Sequence, residues 1–298
     1  MRILTLTAIL GGLLGLPACE EPFELEGRQD NQLLIIGSLA AGSAPTVTLQ
    51  SLDAFGDQVT EPGLAASRLT LANSSRSFEL IRQSYDATSA TFTAPGERII
   101  TGETYELSVS VAGYNDARGQ TTVPSKVPSF ALSAEQRDNL KFAPEDAYLE
   151  VPLDFESDPE SANYYHLMVS VGEGLGTELA ERVAFAEDIE LDATTLPIAS
   201  NEAENGSRVF SDELFVRDRL AGTLRIPTDE LLDYFEPVLR IEIRSVSESY
   251  YLHPLSSGFN ENNRVKGTNS SRHRDNITGG VGVLLSYNDF VEYLRLSR

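Results

Sequence analysis

Apolar and polar residues alternate with a period of two along much of the chain, beginning at Gln32. The pattern is plain in Leu33-Leu34-Ile35-Ile36, Thr46-Val47-Thr48-Leu49, Arg68-Leu69-Thr70-Leu71 and Ser77-Phe78-Glu79-Leu80. It is longest in Thr104-Tyr105-Glu106-Leu107-Ser108-Val109-Ser110-Val111. Clusters such as Gly42-Ser43-Ala44-Pro45 and Ala94-Pro95-Gly96 separate these segments and supply turns. Short, regularly spaced strands with turn punctuation predict an all-β protein, opening with an antiparallel immunoglobulin- or fibronectin-like β-sandwich over residues 32–124. Tyr105, Leu107, Val109 and Val111 fall on its inner face. Pro124 and Pro128 then bracket Ser125-Lys126-Val127, which reads as a boundary because proline ends ladder pairing and stiffens a linker.

Residues 125–298 predict a second β-rich domain with short helices. Strands are expected over 149–155, 164–171, 220–226 and 238–246, and in two further pieces at 280–285 and 290–296. A short helix is expected over 133–140, with Ser133 at the N-cap and Gln136 placed for a capping box, and another over 228–235 behind Thr228. Residues 172–206, rich in Glu and Ala, read as a mobile insertion.

The first residues break the β pattern. Met1-Arg2 is a short positive start, residues 3–16 are apolar, and Leu16-Pro17-Ala18-Cys19 closes the run. At 1.5 Å per residue, about 14 residues cannot cross a bilayer core of about 30 Å, so residues 1–18 read as a secretory signal. Leu16-Pro17-Ala18-Cys19 resembles the bacterial lipoprotein box, whose cysteine is acylated and becomes the new N-terminus. Each buried methylene contributes about 0.8 kcal/mol, so several acyl chains on Cys19 anchor the protein to a membrane. Residues 19–31, acidic and without apolar periodicity, form a tether, and acidic residues directly after the lipidated cysteine resemble a signal for surface export.

Charge narrows the partners. Removing the signal deletes only Arg2, which leaves 45 acidic against 22 basic side chains, a net of −23. Phosphate binding needs a basic field, so nucleic acid is excluded as a partner. Lysine occurs only at 126, 141 and 266, and acid excess with scarce lysine is the composition of proteins from saline habitats. Cys19 is the single cysteine, so with a lipid on its sulfur neither an internal disulfide nor a thiolate metal site or nucleophile remains.

Four stretches occur in one order: Asp158-Pro159-Glu160-Ser161-Ala162-Asn163-Tyr164-Tyr165, Phe210-Ser211-Asp212-Glu213-Leu214-Phe215, Ser245-Val246-Ser247-Glu248-Ser249-Tyr250-Tyr251-Leu252 and Asn276-Ile277-Thr278-Gly279-Gly280-Val281-Gly282-Val283. Together with Gly113-Tyr114 and Val123-Pro124, they resemble the Bacteroidota lipoproteins of the domain-of-unknown-function 4249 family over nearly the whole mature chain. The chain departs from that pattern between Leu255 and Arg274, where an Asn-Pro-Phe-like stretch is missing. The resemblance implies an outer-membrane lipoprotein encoded near TonB-dependent transporters, and it implies no chemistry.

Several residues are candidates for a site, each with a plainer structural alternative. Asp154, Glu156, Asp158 and Glu160 alternate across a turn and can offer oxygens to Ca²⁺, or simply cap a strand with a solvated acidic turn. Tyr164-Tyr165 and Tyr250-Tyr251 can form an aromatic platform for a glycan or peptide; adjacent strand residues face opposite ways, so one of each pair belongs to the core. Arg264, Arg272 and Arg274, with Lys266 and His273, form a basic island that is either a partner contact or a solvated loop. Phe210-Ser211-Asp212-Glu213 is placed for local turn hydrogen bonds. The glycines of residues 276–282 suit close packing or a bulge. His166, His253 and His273 lack metal-ligand spacing, there is no Gly-x-Ser-x-Gly elbow, and no cofactor is implied. The expected function is therefore a non-catalytic, lipid-anchored outer-membrane accessory to a TonB-dependent nutrient transporter. A surface adhesin or envelope scaffold is the alternative, and a two-carboxylate glycoside hydrolase a more remote one.

Overall fold

The computed structural model describes residues 32–52, 63–64, 66–85, 89–125, 132–133, 140–143, 145–157, 163–173, 184–185, 190–192, 201–203, 207–212, 219–252 and 276–297. The first half holds β1 (Gln32–Ala40), β2 (Thr46–Leu52), β3 (Arg68–Ala72), β4 (Ser77–Tyr85), β5 (Ser89–Thr93), β6 (Thr104–Ser110) and β7 (Ala117–Thr122). Next come β8 (Tyr148–Glu156), β9 (Tyr164–Glu173), β10 (Ala184–Phe185), β11 (Glu190–Asp192), β12 (Asn201–Ala203), β13 (Ser207–Ser211) and β14 (Arg219–Pro227). The last part holds the single turn α1 (Asp229–Leu232), β15 (Pro237–Val246), the short helix α2 (Glu248–Leu252), β16 (Ile277–Thr278) and β17 (Val281–Arg295). The protein is all-β, as its period-two patterning predicts. Among the described residues no helix is long and apolar enough to cross a membrane.

Hydrogen bonding links 14 strands in the order β12-β13-β9-β15-β17-β1-β2-β5-β4-β3-β6-β7-β16, with β10 beside β9. A separate sheet runs β11-β14-β8. β4 turns the ladder a corner: its first half pairs with β3 and its second with β5, with a register shift between Arg82 and Ser84. Residues Asn31–Arg298 group as one compact unit containing two large cores. The first is filled mainly from β1–β7, with Ile277 of β16 and Leu284 of β17, and Tyr105, Leu107, Val109 and Val111 are all buried in it on one face. The second is filled by Leu149, Val151 and Leu153 of β8, Leu167 and Val169 of β9, and Leu239, Ile241 and Ile243 of β15.

β17 belongs to both neighbourhoods. The sequence predicts two strand pieces there, whereas one 15-residue strand runs through. Its first part pairs parallel to β1, Leu34 opposite Val281 through Ala40 opposite Tyr287. Its second part pairs antiparallel to β15, Val246 opposite Tyr287 through Val238 opposite Arg295. Gly282 makes the parallel approach possible. It has φ +122°, and a Cβ there would lie 2.0 Å from the Ile35 carbonyl oxygen. The expected close-packing role of the 276–282 glycines is thus met at the seam with β1.

Three local expectations change. β5 and β7 have no strong apolar run, and their pairing with β2, β4 and β6 makes them strands. The expected 228–235 helix shrinks to one turn, because the Thr228 hydroxyl donates to the Asp146 carbonyl instead of capping. Tyr250 and Tyr251 lie on α2 rather than on a strand, because β15 ends at Val246 and Tyr251 N–H donates to Ser247 O. The helix expected over 133–140, the tether and the signal lie mainly or wholly outside the described residues, as does most of 172–206.

Candidate functional site

Three strand ends are tied together first. At the end of β8 and the starts of β9 and of the turn after β13, Ser157 Oγ donates to Asp212 Oδ2 at 2.6 Å and pairs with the Tyr165 hydroxyl at 2.8 Å. Asn163 Nδ2 donates to the same carboxylate oxygen at 2.7 Å, and Asn163 N–H donates to Asp212 Oδ1 at 3.1 Å. Asp212 N–H returns a bond to Asn163 O. Asp212 was expected to serve a local turn; instead its oxygens hold a backbone amide 49 positions away. Several bonds to one carboxylate fix the entry into β9 and hence the direction of Tyr164.

Tyr164 then faces a cleft of about 780 Å³. One wall comes from Gly102 and residues 120–125 at the end of β7; the other from Asn163, Tyr164 and residues 245–249 at the end of β15. Asn276 stands between the walls. Its Nδ2 donates to Gln120 O at 3.0 Å and Leu284 O at 2.9 Å, while its Oδ1 accepts from Leu284 N–H at 2.8 Å, so one side chain splices β7 to β17. Ser286 Oγ donates to Thr122 O, and Asn288 Nδ2 to Pro124 O, continuing that splice. Tyr164 stacks on Tyr251 of α2 with ring centres 4.6 Å apart and planes 22° apart. The four sequence stretches of the family resemblance therefore converge here: Asn163 and Tyr164 from the first, Asp212 behind them from the second, residues 245–251 from the third and Asn276 from the fourth.

Behind this wall, on the face of β9 and β15 opposite the second core, lies a buried polar cluster. Arg240, Glu242 and Arg244 occupy alternate positions of β15, and Glu242, 2% exposed, is paired with both arginines. Arg244 also donates to the Tyr250 hydroxyl at 3.3 Å and lies over the Tyr287 ring at 4.3 Å. His166 Nδ1 is 2.6 Å from the same hydroxyl. If Tyr250 accepts from Arg244 and donates to Nδ1, each atom is used once and the ring proton sits on Nε2. That Nε2 is buried without a partner among the described residues. Burial, aided by the charge of Arg244, lowers the His166 pKa to about 3. Burial also opposes the charge on Arg244, but Tyr250, Glu242 and Tyr287 outweigh it and hold its pKa above the ordinary value. Burial raises the pKa of Tyr250. At neutral pH the cluster thus holds a neutral imidazole, a neutral phenol and the charged guanidinium of Arg244.

The sequence candidates divide among these places. Tyr164 lines the cleft and Tyr251 backs it; Tyr165 is buried in the second core, and Tyr250 in the polar cluster. Asp154 is exposed on β8, and its carboxylate takes the Nε and Nη2 donors of Arg219, which hold its pKa below the usual carboxylate value. Glu156 is on the same strand, while Asp158 and Glu160 lie outside the described residues. Cys19, Arg264, Arg272 and Arg274 lie outside them too. Sequence reasoning missed Gln120, Ser125 and Glu248 as cleft residues, and His166, Glu242 and Arg244 as a unit. The one available signal for the unit was three charges at alternate positions inside the strongly apolar run of β15.

The family described as Domain of unknown function (DUF4249) matches residues 20–292. The chain belongs to that family. A search of curated proteins finds no match.

Proposed function

We propose that this protein is a lipid-anchored outer-membrane lipoprotein of Bacteroidota, held by acyl chains on Cys19, which captures a ligand as a non-catalytic accessory of a TonB-dependent transporter. The observation that carries the reading is the cleft of about 780 Å³, whose walls come from the ends of β7 and β15 and from the stretches that mark the family. Its volume falls within the range of about 300–1,000 Å³ usual for small-ligand sites. The described lining consists largely of hydroxyl and amide side chains with one carboxylate, Glu248, a set suited to hydrogen-bonded capture. Anchoring on Cys19 confines the cleft to two dimensions and raises its effective concentration beside a transporter in the same membrane.

The test is a crosslinked pull-down of the C-terminally tagged protein from detergent-solubilised outer membrane, with Cys19→Ala as the unanchored control. A TonB-dependent transporter recovered with the wild type and lost with the control is the expected result. Recovery of the anchored protein without any transporter overturns the accessory reading in favour of an adhesin or scaffold.

A further inference from the structure

We infer that the cleft binds a neutral, hydroxyl-rich ligand, a short uncharged oligosaccharide, with Tyr164 as its stacking surface and Gln120 and Ser125 as polar contacts from the opposite wall. This rests on the reading of the cleft as a binding site and adds the class of its ligand.

Three observations select that class. The first is charge. The chain is 23% charged with a net charge of −22, yet among the fifteen described residues that line the cleft Glu248 is the one that carries a charge. The described wall of amides and hydroxyls offers hydrogen bonds in both directions, as a ligand rich in hydroxyl groups requires, and the described residues place no cation on it. The second is the ring of Tyr164. Its stack on Tyr251, and the bonds from Asp212 to the preceding Asn163, hold it in one orientation at the cleft wall. A fixed aromatic ring beside amides and hydroxyls matches a sugar, which carries an apolar C–H face and a polar rim.

The third observation separates a sugar from a peptide. An extended peptide would gain most by adding a strand to the β7 edge that forms one wall. The carbonyls along that edge already accept from this chain's own side chains: Gln120 O from Asn276, Thr122 O from Ser286 and Pro124 O from Asn288. An edge capped in this way leaves the side chains of the cleft, not its backbone, as the recognition surface.

The experiment uses the mature protein with Cys19→Ala, titrated calorimetrically with linear gluco-, manno- and xylo-oligosaccharides of two to six units. Matched uronic-acid oligosaccharides and extended peptides are the competing probes. Neutral oligosaccharides should bind, with uronic-acid forms and peptides much weaker. Tyr164→Ala should weaken binding about tenfold while Tyr164→Phe retains it, as loss of an aromatic contact implies. Gln120→Ala, on the opposite wall and away from the Tyr164–Tyr251 stack, should also weaken binding without lowering the melting temperature. Preference for the charged sugars or for peptides, no binding of the neutral panel at millimolar concentration, or affinity unchanged in both Tyr164→Ala and Gln120→Ala overturns the inference. A transporter recovered in the pull-down without sugar binding refutes the ligand class alone. Sugar binding without a transporter refutes the accessory role alone.

Discussion

The two faces of the β9–β15 pair solve burial in opposite ways. On one face Leu167, Val169, Leu239, Ile241 and Ile243 are fully buried among other apolar side chains. On the other, His166, Glu242 and Arg244 are enclosed together with Tyr250 and Tyr287. The apolar face gains from every square ångström removed from water, at about 25 cal/mol per Å². The polar face first loses hydration and must recover it through hydrogen bonds and ion pairs, so its net contribution is smaller and depends on every partner being present. The teaching is that equal burial does not mean equal stabilisation: one face tolerates loss of shape poorly, the other loss of a partner.

The largest effect should come from the apolar face. Ile241→Ala should lower stability by about 4 kcal/mol, because lost transfer energy and a residual cavity add; urea denaturation would measure it, and a loss below 1 kcal/mol would mean this core is not close-packed. Next is the charged face. Glu242→Ala should cost about 3 kcal/mol by leaving Arg240 and Arg244 without their shared carboxylate. Replacing all three together by Met, Leu and Met should recover most of that loss, since no stranded charge remains. If the triple variant is instead less stable than Glu242→Ala, the ion pairs themselves stabilise the face and the contrast drawn above fails.

A smaller effect follows from His166. Its pKa is about 3 when folded against about 6.5 when unfolded, so the unfolded chain binds the extra proton between those values. Stability therefore falls as pH drops from about 6.5 towards 3 and is insensitive to this group above that window. His166→Gln keeps an acceptor for Tyr250 and removes the titration. Its loss of stability between pH 7 and pH 4 should be smaller than that of the wild type by about 2–3 kcal/mol. Parallel pH curves for the two proteins would show that His166 is hydrated and not enclosed. The smallest effect is Ser170→Ala, which should raise stability by about 1 kcal/mol. Ser170 Oγ is buried with no partner among the described residues, and deleting it removes an unmet desolvation cost. A destabilised Ser170→Ala would mean the hydroxyl has a bridging partner.

Much of this contrast was readable in the sequence, and its consequences were not. The alternation of Leu239, Ile241 and Ile243 with Arg240, Glu242 and Arg244 announces a strand with one apolar face. The ordinary reading of its other face is solvent. Enclosure of that face follows from α2 bringing Tyr250 onto it and β9 setting His166 opposite Arg244, which no local pattern encodes. For the cleft, Tyr164 was legible as an aromatic candidate, and its motif neighbours as a set. Gln120 and Ser125 were not, because the bond from Asn276 to Gln120 spans 156 positions.

The sequence by itself determined the class of fold, the faces of most long strands, and the burial of Tyr105, Leu107, Val109 and Val111. These depend on side-chain period and local turn chemistry, which are written in consecutive residues. Only the tertiary structure decided that β17 runs unbroken beside both β1 and β15, that β1 pairs with it in parallel, and that four distant stretches meet around one cleft. Period two says which way a side chain points and is silent about which strand lies next to it. That choice is made by register and by close approaches such as that of Gly282 to Ile35, which exist only once the chain has folded.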